Sequence, residues 1–219
     1  MTLATPPFAP KKPHTFSHHG LTVTDDYAWL RDPGYPEVTD KDILGHLEAE
    51  NAWFEARMGE RKPVIDSLFT EMRARIKEAD KSVPQKDGNF LYWIEYEEGA
   101  EYKKWWRRPV GSPDDGSADE LILDEVALAD GVEYFRLGAI AVSSDGTKLA
   151  WSVDDNGSER FTARIKVIAT GEVLADEIPG TLSGLIWVKN DTGLVYSLAN
   201  ENWRTDNARL HWIGQPLEN

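Results

Sequence analysis

The feature that most constrains this chain is an internal echo. Asp145-Gly146-Thr147-Lys148-Leu149-Ala150-Trp151-Ser152 returns as Asn190-Asp191-Thr192-Gly193-Leu194-Val195-Tyr196-Ser197, which puts Leu149 and Leu194 at the same place 45 positions apart. A weaker copy stands at Asp87-Gly88-Asn89-Phe90-Leu91-Tyr92. In each copy a tight turn joins two strands, and a period of about 40–50 residues holding about four strands is that of a β-propeller blade. Three copies do not close a ring, which takes about 4–8 blades. Either the natural polypeptide continues, or the arrangement is unusual.

The rest of the chain after Asp80 fits that reading. Short aromatic and β-branched runs alternate with Asp, Gly, Asn and Pro, so strands are expected over 90–96, 103–109, 120–124, 138–142, 148–153, 164–169, 173–176, 184–187, 194–199 and 210–213. The segment before it is different. Pro6, Pro7, Pro10 and Pro13 predict an extended arm as far as His19. Thr39 with Asp42 resembles a capping box opening a helix, along which Leu44, Leu47, Asn51, Phe54 and Met58 fall at helical spacing and Gly59 supplies a left-handed stop. Pro63 opens a second helix, with Val64, Ile65, Leu68, Phe69, Met72 and Ile76 in one stripe. Both helices are expected to pack on something. The boundary falls near Lys81–Pro84, dividing an arm-and-helix region, 1–80, from a β region, 81–219.

Composition excludes several functions. The formal net charge of −14 repels phosphate backbones and anionic lipid surfaces, so neither nucleic acid nor a membrane is an expected partner. The charge first of all keeps a soluble protein dispersed, and it favours cationic ligands. With no Cys there is no disulfide, thiolate zinc site or cysteine nucleophile. No apolar run approaches the ~18 residues of a membrane span, and no signal-like segment opens the chain, so a cytoplasmic protein is expected. Asn156-Gly157-Ser158 and Asn190-Asp191-Thr192 match the glycosylation sequon but are read as turns. A hydrophobic fraction of 41% with nine Trp is enough for a packed core.

No catalytic constellation emerges. There is no Gly-x-Ser-x-Gly elbow, and the five His residues, at 14, 18, 19, 46 and 211, lack zinc-peptidase spacing. His18-His19 reads as an inert surface pair. Asp154, Asn156 and Gly157 occupy three positions of a calcium loop, but Ser152 and Ala163 stand where its first and bidentate ligands belong. Glu95, Glu97, Glu98 and Glu101 straddle Gly99 at a hairpin tip, too wet for paired-carboxylate catalysis. No catalytic residue, metal ligand or cofactor is therefore assigned, and no substrate contact is identified.

Four passages in order resemble one family. Asp25-Asp26-Tyr27-Ala28-Trp29-Leu30-Arg31-Asp32-Pro33 resembles the N-terminal signature of the prolyl oligopeptidases, and Leu47-Glu48-Ala49-Glu50-Asn51-Ala52 is similar to a helix of that family. Glu71-Met72, Arg75-Ile76-Lys77-Glu78-Ala79-Asp80 and Ser82-Val83-Pro84 resemble the oligopeptidase B branch in particular. Tyr134-Phe135, Leu137-Gly138, Val142-Ser143 and Asp145 follow. Trp105-Trp106-Arg107-Arg108 and Ser144 depart from the pattern.

The resemblance implies a mainly β chain with an N-terminal helical segment: the first blades of a seven-bladed propeller, without the α/β-hydrolase domain that carries the Ser-Asp-His triad. The arm and helices would wrap that hydrolase domain, and Trp29 is expected to be buried. The implied activity is serine-type hydrolysis of short peptides after Arg or Lys, with the propeller excluding folded proteins and the fragment alone inactive. Leu182–Trp187 would begin an innermost strand. A non-catalytic β-propeller binding module is the rival reading. Open sheet faces and unpartnered helices lead to an expectation of self-association.

Overall fold

The computed structural model describes residues 5–35 and 37–217, which form two units, Met1–Ile76 and Lys77–Asn219. The first unit begins with a hairpin where an extended arm was expected. Strands β1 (His14–His18) and β2 (Leu21–Asp25) pair antiparallel from His14↔Asp25 to His18↔Leu21. His19 and Gly20 turn them with φ of 50° and 77°, left-handed values that Gly takes freely and His tolerates. The Pro-rich composition hid this, because the pairing depends on Thr15–Thr24 and Ser17–Thr22 hydroxyl contacts across the strands.

Trp29, in a 3-10 turn (Ala28–Leu30), ties the arm down. Its indole N–H donates to Pro10 O at 2.9 Å, Lys12 Nζ lies 4.4 Å from the ring centroid, and His46 packs beside it. The ring is partly buried. Asp32 then accepts from the backbone of Gly34, Thr39 and Asp40, and these bonds, Gly34 foremost, hold its carboxyl below the usual range.

Helix α1 (Lys41–Met58) is capped by Asp40, whose carboxylate accepts from Asp42 N and Ile43 N, not by Thr39. The Thr39 amide is taken by Asp32, which moves the cap one residue on. Gly59 is a second correction. Its φ of −56° is right-handed, and the chain runs through a 3-10 turn (Gly59–Arg61) directly into α2 (Lys62–Ala74). A left-handed stop is needed only where a helix must end. The third correction concerns packing: only Ile43 of α1 is buried, and Leu47, Phe54, Val64, Leu68, Phe69 and Met72 are exposed. Amphipathic spacing predicted covered stripes. Among the described residues of this unit, no element lies over them.

The second unit is a row of three antiparallel sheets, each with its strands in chain order. Sheet 1 runs β3 (Asp80–Lys81), β5 (Phe90–Tyr96), β6 (Lys104–Pro109), β7 (Glu120–Asp124), with β4 (Gln85–Asp87) also paired to β5. Sheet 2 runs β8 (Arg136–Val142), β9 (Lys148–Asp154), β10 (Phe161–Val167), β11 (Val173–Thr181). Sheet 3 runs β12 (Leu185–Trp187), β13 (Gly193–Ala199), β14 (Thr205–Trp212). A short helix, α3 (Glu125–Ala129), links sheets 1 and 2. This is a partial propeller, and no sheet closes on itself.

Periodicity located most strands but not all of their starts. β5 and β7 match the expected bounds, while β10 starts three residues before Arg164 and β14 five before Leu210. Phe161, Ala163 and Ile165 are the buried set of β10, and Thr162 and Arg164 between them complete an apolar–polar alternation that begins three residues earlier than expected. α3 and the short β3 and β4 had no periodic signal.

Two cores fill the seams. Between sheets 1 and 2 lie Ile122, Leu123, Phe135, Leu149, Trp151 and Val153, with Tyr92, Tyr102 and Trp105 against them. Between sheets 2 and 3 lie Ala150, Ala163, Ile165, Ile178, Leu194 and Tyr196. Strand β9 feeds both: Leu149, Trp151 and Val153 face sheet 1, while Ala150 and Ser152 face sheet 3.

Candidate functional site at the hairpin-tip end

The repeat gives β5, β9 and β13 the same place and direction, so the tips that follow them, 97–103, 155–160 and 200–204, gather at one end. Each tip is ordered by side chains. In the first, Gly99 turns with φ of 75°, and Lys104 pairs with Glu97 at 2.6 Å. Beneath it Glu125 is buried; burial pushes its carboxyl up, against the Trp105 indole N–H at 2.6 Å and nearby Lys103.

The second tip is built around Asp154. This fully buried carboxylate accepts from the backbone of Asn156 (3.1 Å), Gly157 (2.9 Å) and Glu159 (2.8 Å). Those bonds use the oxygens that a calcium loop would turn to metal, so the Asp-x-Asn-Gly run is a structural loop. They also force Glu159 into the left-handed region at φ 57°, where Arg136 meets it at 3.0 Å. That bond, ahead of the Coulombic attraction, raises the Arg136 guanidinium above its ordinary value.

Arg160 then crosses to sheet 3. It donates to Ala199 O at 2.9 Å and Asn200 O at 3.4 Å, and its guanidinium lies 4.3 Å from the Trp203 ring centroid. In the third tip Asn200 Oδ1 accepts from Asn202 N and Arg204 N, while Trp203 N donates to Asn200 O. Neither Arg160 nor Trp203 was singled out in the sequence. The available signal was a Trp inside Asn200-Glu201-Asn202-Trp203-Arg204, where turn chemistry would predict Gly.

The other positions weighed for chemistry are scattered. His18 and His19 sit on the exposed hairpin, and Glu95 is engaged by Lys81 and by the Trp93 indole N–H. His211 is buried against Asp176 at 2.6 Å, where Gly214 N also bonds, and so joins sheet 3 to sheet 2. Among the described residues no three His, Cys, Asp or Glu side chains come together as a metal site. No helix among them is long and apolar enough to cross a membrane. The segment Leu182–Trp187, expected to begin an innermost strand, carries β12 at one edge of sheet 3; Trp187 donates its indole N–H to Ala141 O of sheet 2, and Ile186 is exposed.

Residues 6–219 match the family model described as prolyl oligopeptidase, N-terminal beta-propeller domain. The chain belongs to the prolyl oligopeptidase family. Within it, the chain is 34% identical over 227 residues to dipeptidyl aminopeptidase BI of Pseudoxanthomonas mexicana, covering 97% of this chain and 31% of that protein. Protease 2 of Moraxella lacunata is 26% identical, with the same two coverages of 97% and 31%. Oligopeptidase B from Leishmania major superposes with a TM-score of 0.85 at 28% identity, covering 97% of this chain and 31% of that one. Oligopeptidase B from Trypanosoma brucei, in a closed form with covalently bound antipain, gives 0.84 at 28% identity with the same coverage of 97% and 31%. The chain thus spans about a third of the length of these relatives.

Proposed function

We propose that this chain is the helical and propeller portion of an oligopeptidase B-type serine peptidase that hydrolyses short peptides after Arg or Lys. The observation that carries the reading is the similarity to the two oligopeptidase B folds over 97% of the chain, joined to the oligopeptidase B-like run from Glu71 to Pro84. In this reading the propeller restricts entry to short, unfolded peptides, and the net charge of −14 favours cationic ones. Residues 1–80 pack on a hydrolase domain; the exposed stripe of Val64, Leu68, Phe69 and Met72 is the kind of surface such a domain would cover. The setting is cytoplasmic.

No Gly-x-Ser-x-Gly nucleophile turn occurs in the 219 residues, so the pure chain should not turn over a fluorogenic substrate with Arg at the cleaved bond. It should also self-associate through the α2 stripe, which light scattering at micromolar concentration reads. Turnover by the pure chain overturns the first expectation; a monomer that binds no hydrophobic dye overturns the second. A longer natural polypeptide carrying this sequence should cleave after Arg and Lys; cleavage after Pro instead would refute the specificity.

A second reading has its own observation, the 34% identity to a dipeptidyl aminopeptidase. It predicts release of dipeptides from a free N-terminus. Mass spectrometry of products from one long peptide, with free and with acetylated N-terminus, separates the two.

A further inference from the structure

We propose that the open face of the Trp203 indole receives an arginine or lysine side chain of a peptide. The proposal rests on the peptidase reading above and adds a subsite to it. It begins from a backbone outlier: Trp203 has φ of 57°, a left-handed value that is costly for a bulky side chain. The surrounding loop imposes it through Asn200, which binds Asn202 N, Trp203 N and Arg204 N. Arg160 fixes the loop from the neighbouring sheet and supports the ring. Yet Trp203 remains 53% exposed and belongs to neither core. Apart from the Arg160 contact, an aromatic held in a strained position without being buried gains little from packing.

The molecule itself shows what its indoles accept. Lys12 stacks on Trp29, and Lys103 on Trp105 at 5.1 Å. Trp93 carries two cations, Lys81 at 4.4 Å and Arg108 at 5.4 Å, with Glu95 and Asp114 as their carboxylate partners. Trp203 has one cation, Arg160, and one open face. Two carboxylates stand in the same pair of tips: Glu201 is two residues from Trp203 in sequence, Asp155 precedes Arg160 in the adjoining tip, and neither makes an ion pair among the described residues. An incoming cation meets a π face, and the two carboxylates offset the charge of Arg160 and of the adjacent Arg204; an anion is repelled by the face of the ring. A planar guanidinium stacks better than an ammonium, so arginine should bind the more tightly.

The test uses the 219-residue chain and blocked tripeptides, acetyl-Gly-X-Gly-amide, with X as Arg, Lys, Leu or Glu. The indole N–H resonance of Trp203, assigned by its loss in Trp203→Phe, should move with Arg and less with Lys, and the effect should fade with added salt. Trp203→Gly should weaken binding by at least about tenfold while leaving the melting temperature unchanged or higher, because Gly relieves the left-handed strain. A purely structural Trp would instead lower the melting temperature when removed. No movement of the Trp203 signal up to about 10 mM peptide, or equal movement with Leu or Glu, overturns the proposal. The readout is binding without turnover, so failure here leaves the peptidase reading to stand or fall on its own hydrolysis assay.

Discussion

The seam between sheets 1 and 2 is rich in rings, with Tyr92, Trp105, Phe135 and Trp151 among its aliphatic residues, whereas the seam between sheets 2 and 3 is mostly aliphatic, with Ala150 and Ala163 at its centre and Tyr196 as its one buried ring among the described residues. Trp151, Phe135, Tyr92 and Trp105 stand between the first pair of sheets, and burying such rings adds a large share of apolar area there. In the second, Ala150 and Ala163 let the backbones approach, so that β12 lies against β8 and β9. Close backbones bring polar groups into reach. Ser144 N, Ser144 Oγ and Asp145 N all donate to the Asp191 carboxylate, at 2.8, 2.7 and 3.0 Å, and Ser152 Oγ reaches Ser183 O at 2.8 Å.

The turns on the two seams are copies of one motif. Gly146 and Asp191 occupy the same place in the repeat, and each ties its own sheet to the preceding one. Gly146 does so by its carbonyl, which accepts from Arg107 Nη1 at 2.5 Å; Asp191 does so by its side chain. Both positions are left-handed, with φ of 73° at Gly146 and 55° at Asp191, but a Cβ at Gly146 would lie 2.9 Å from the Phe90 ring, so the first seam excludes the Asp that the second uses. One repeat position thus makes the same link with opposite polarity, according to the bulk of its neighbours.

The strongest way to break this comparison is Trp151→Ala. Its indole N–H has no hydrogen-bond partner, so the ring works by volume alone, and the truncation should cost about 3–5 kcal/mol in urea unfolding. Trp151→Phe should cost far less. If Phe were as damaging as Ala, the polar atom would matter and the ring-filled description would fail.

Asp191→Ala comes next, at about 2–3 kcal/mol, because it strands two backbone amides and a hydroxyl. Asp191→Asn should recover part of that loss by accepting one or two of the three bonds. An alanine variant as stable as the parent would show that the second seam does not depend on its hydrogen bonds.

Ala150→Leu should destabilise by about 1–3 kcal/mol, since added bulk forces the close backbones apart. Tyr92→Leu, at the corresponding position facing the wide seam, should unfold at a different cost, set by lost ring area and not by overpacking. A Tyr92→Leu variant as stable as the parent would show that its ring does not fill the first seam and would erase the distinction.

The smallest effect is electrostatic. The Ser143 hydroxyl and the Thr147 amide and hydroxyl hold Asp145 at about 2. For Asp191, burial pushes the carboxyl up, and the bonds from Ser144 and Asp145 outweigh it, leaving it below the usual range. Both depressed carboxyls add stability that is complete above about pH 4 and is lost as pH falls toward 2. Asp145 is exposed to solvent, so its share should be below about 1 kcal/mol. Chemical denaturation at pH 4 and pH 2.5, with and without Asp191→Ala, measures it.

Sequence periodicity carried the row of sheets because Leu149 and Leu194, both fully buried, repeat with their turns intact. It did not carry the tip end. Arg160 and Trp203 meet across 43 residues of sequence, through a guanidinium reaching a neighbouring sheet, and no local pattern encodes that encounter. The hairpin at His14–Asp25 was hidden for a different reason: both of its faces are exposed, so no alternation of apolar and polar residues marks it. The exposed stripe on α2 shows the converse, a clear pattern over which no described element of its unit lies.

Strand β9 is covered on both sides, and its two covers come from opposite directions along the chain. During synthesis the cover from sheet 1 is already present when β9 leaves the ribosome, while the cover from sheet 3 arrives 45 residues later, after roughly 2–9 s at ordinary elongation rates. Until then Ala150, Ala163 and Ile165 face water. Each newly made sheet therefore serves as the temporary lid of its predecessor and is itself left uncovered, so assembly is vectorial and a moving hydrophobic front travels with the nascent chain. A ribosomal pause placed just after Val167 would hold that front open longest, and it is there that a chaperone would find the chain most adhesive.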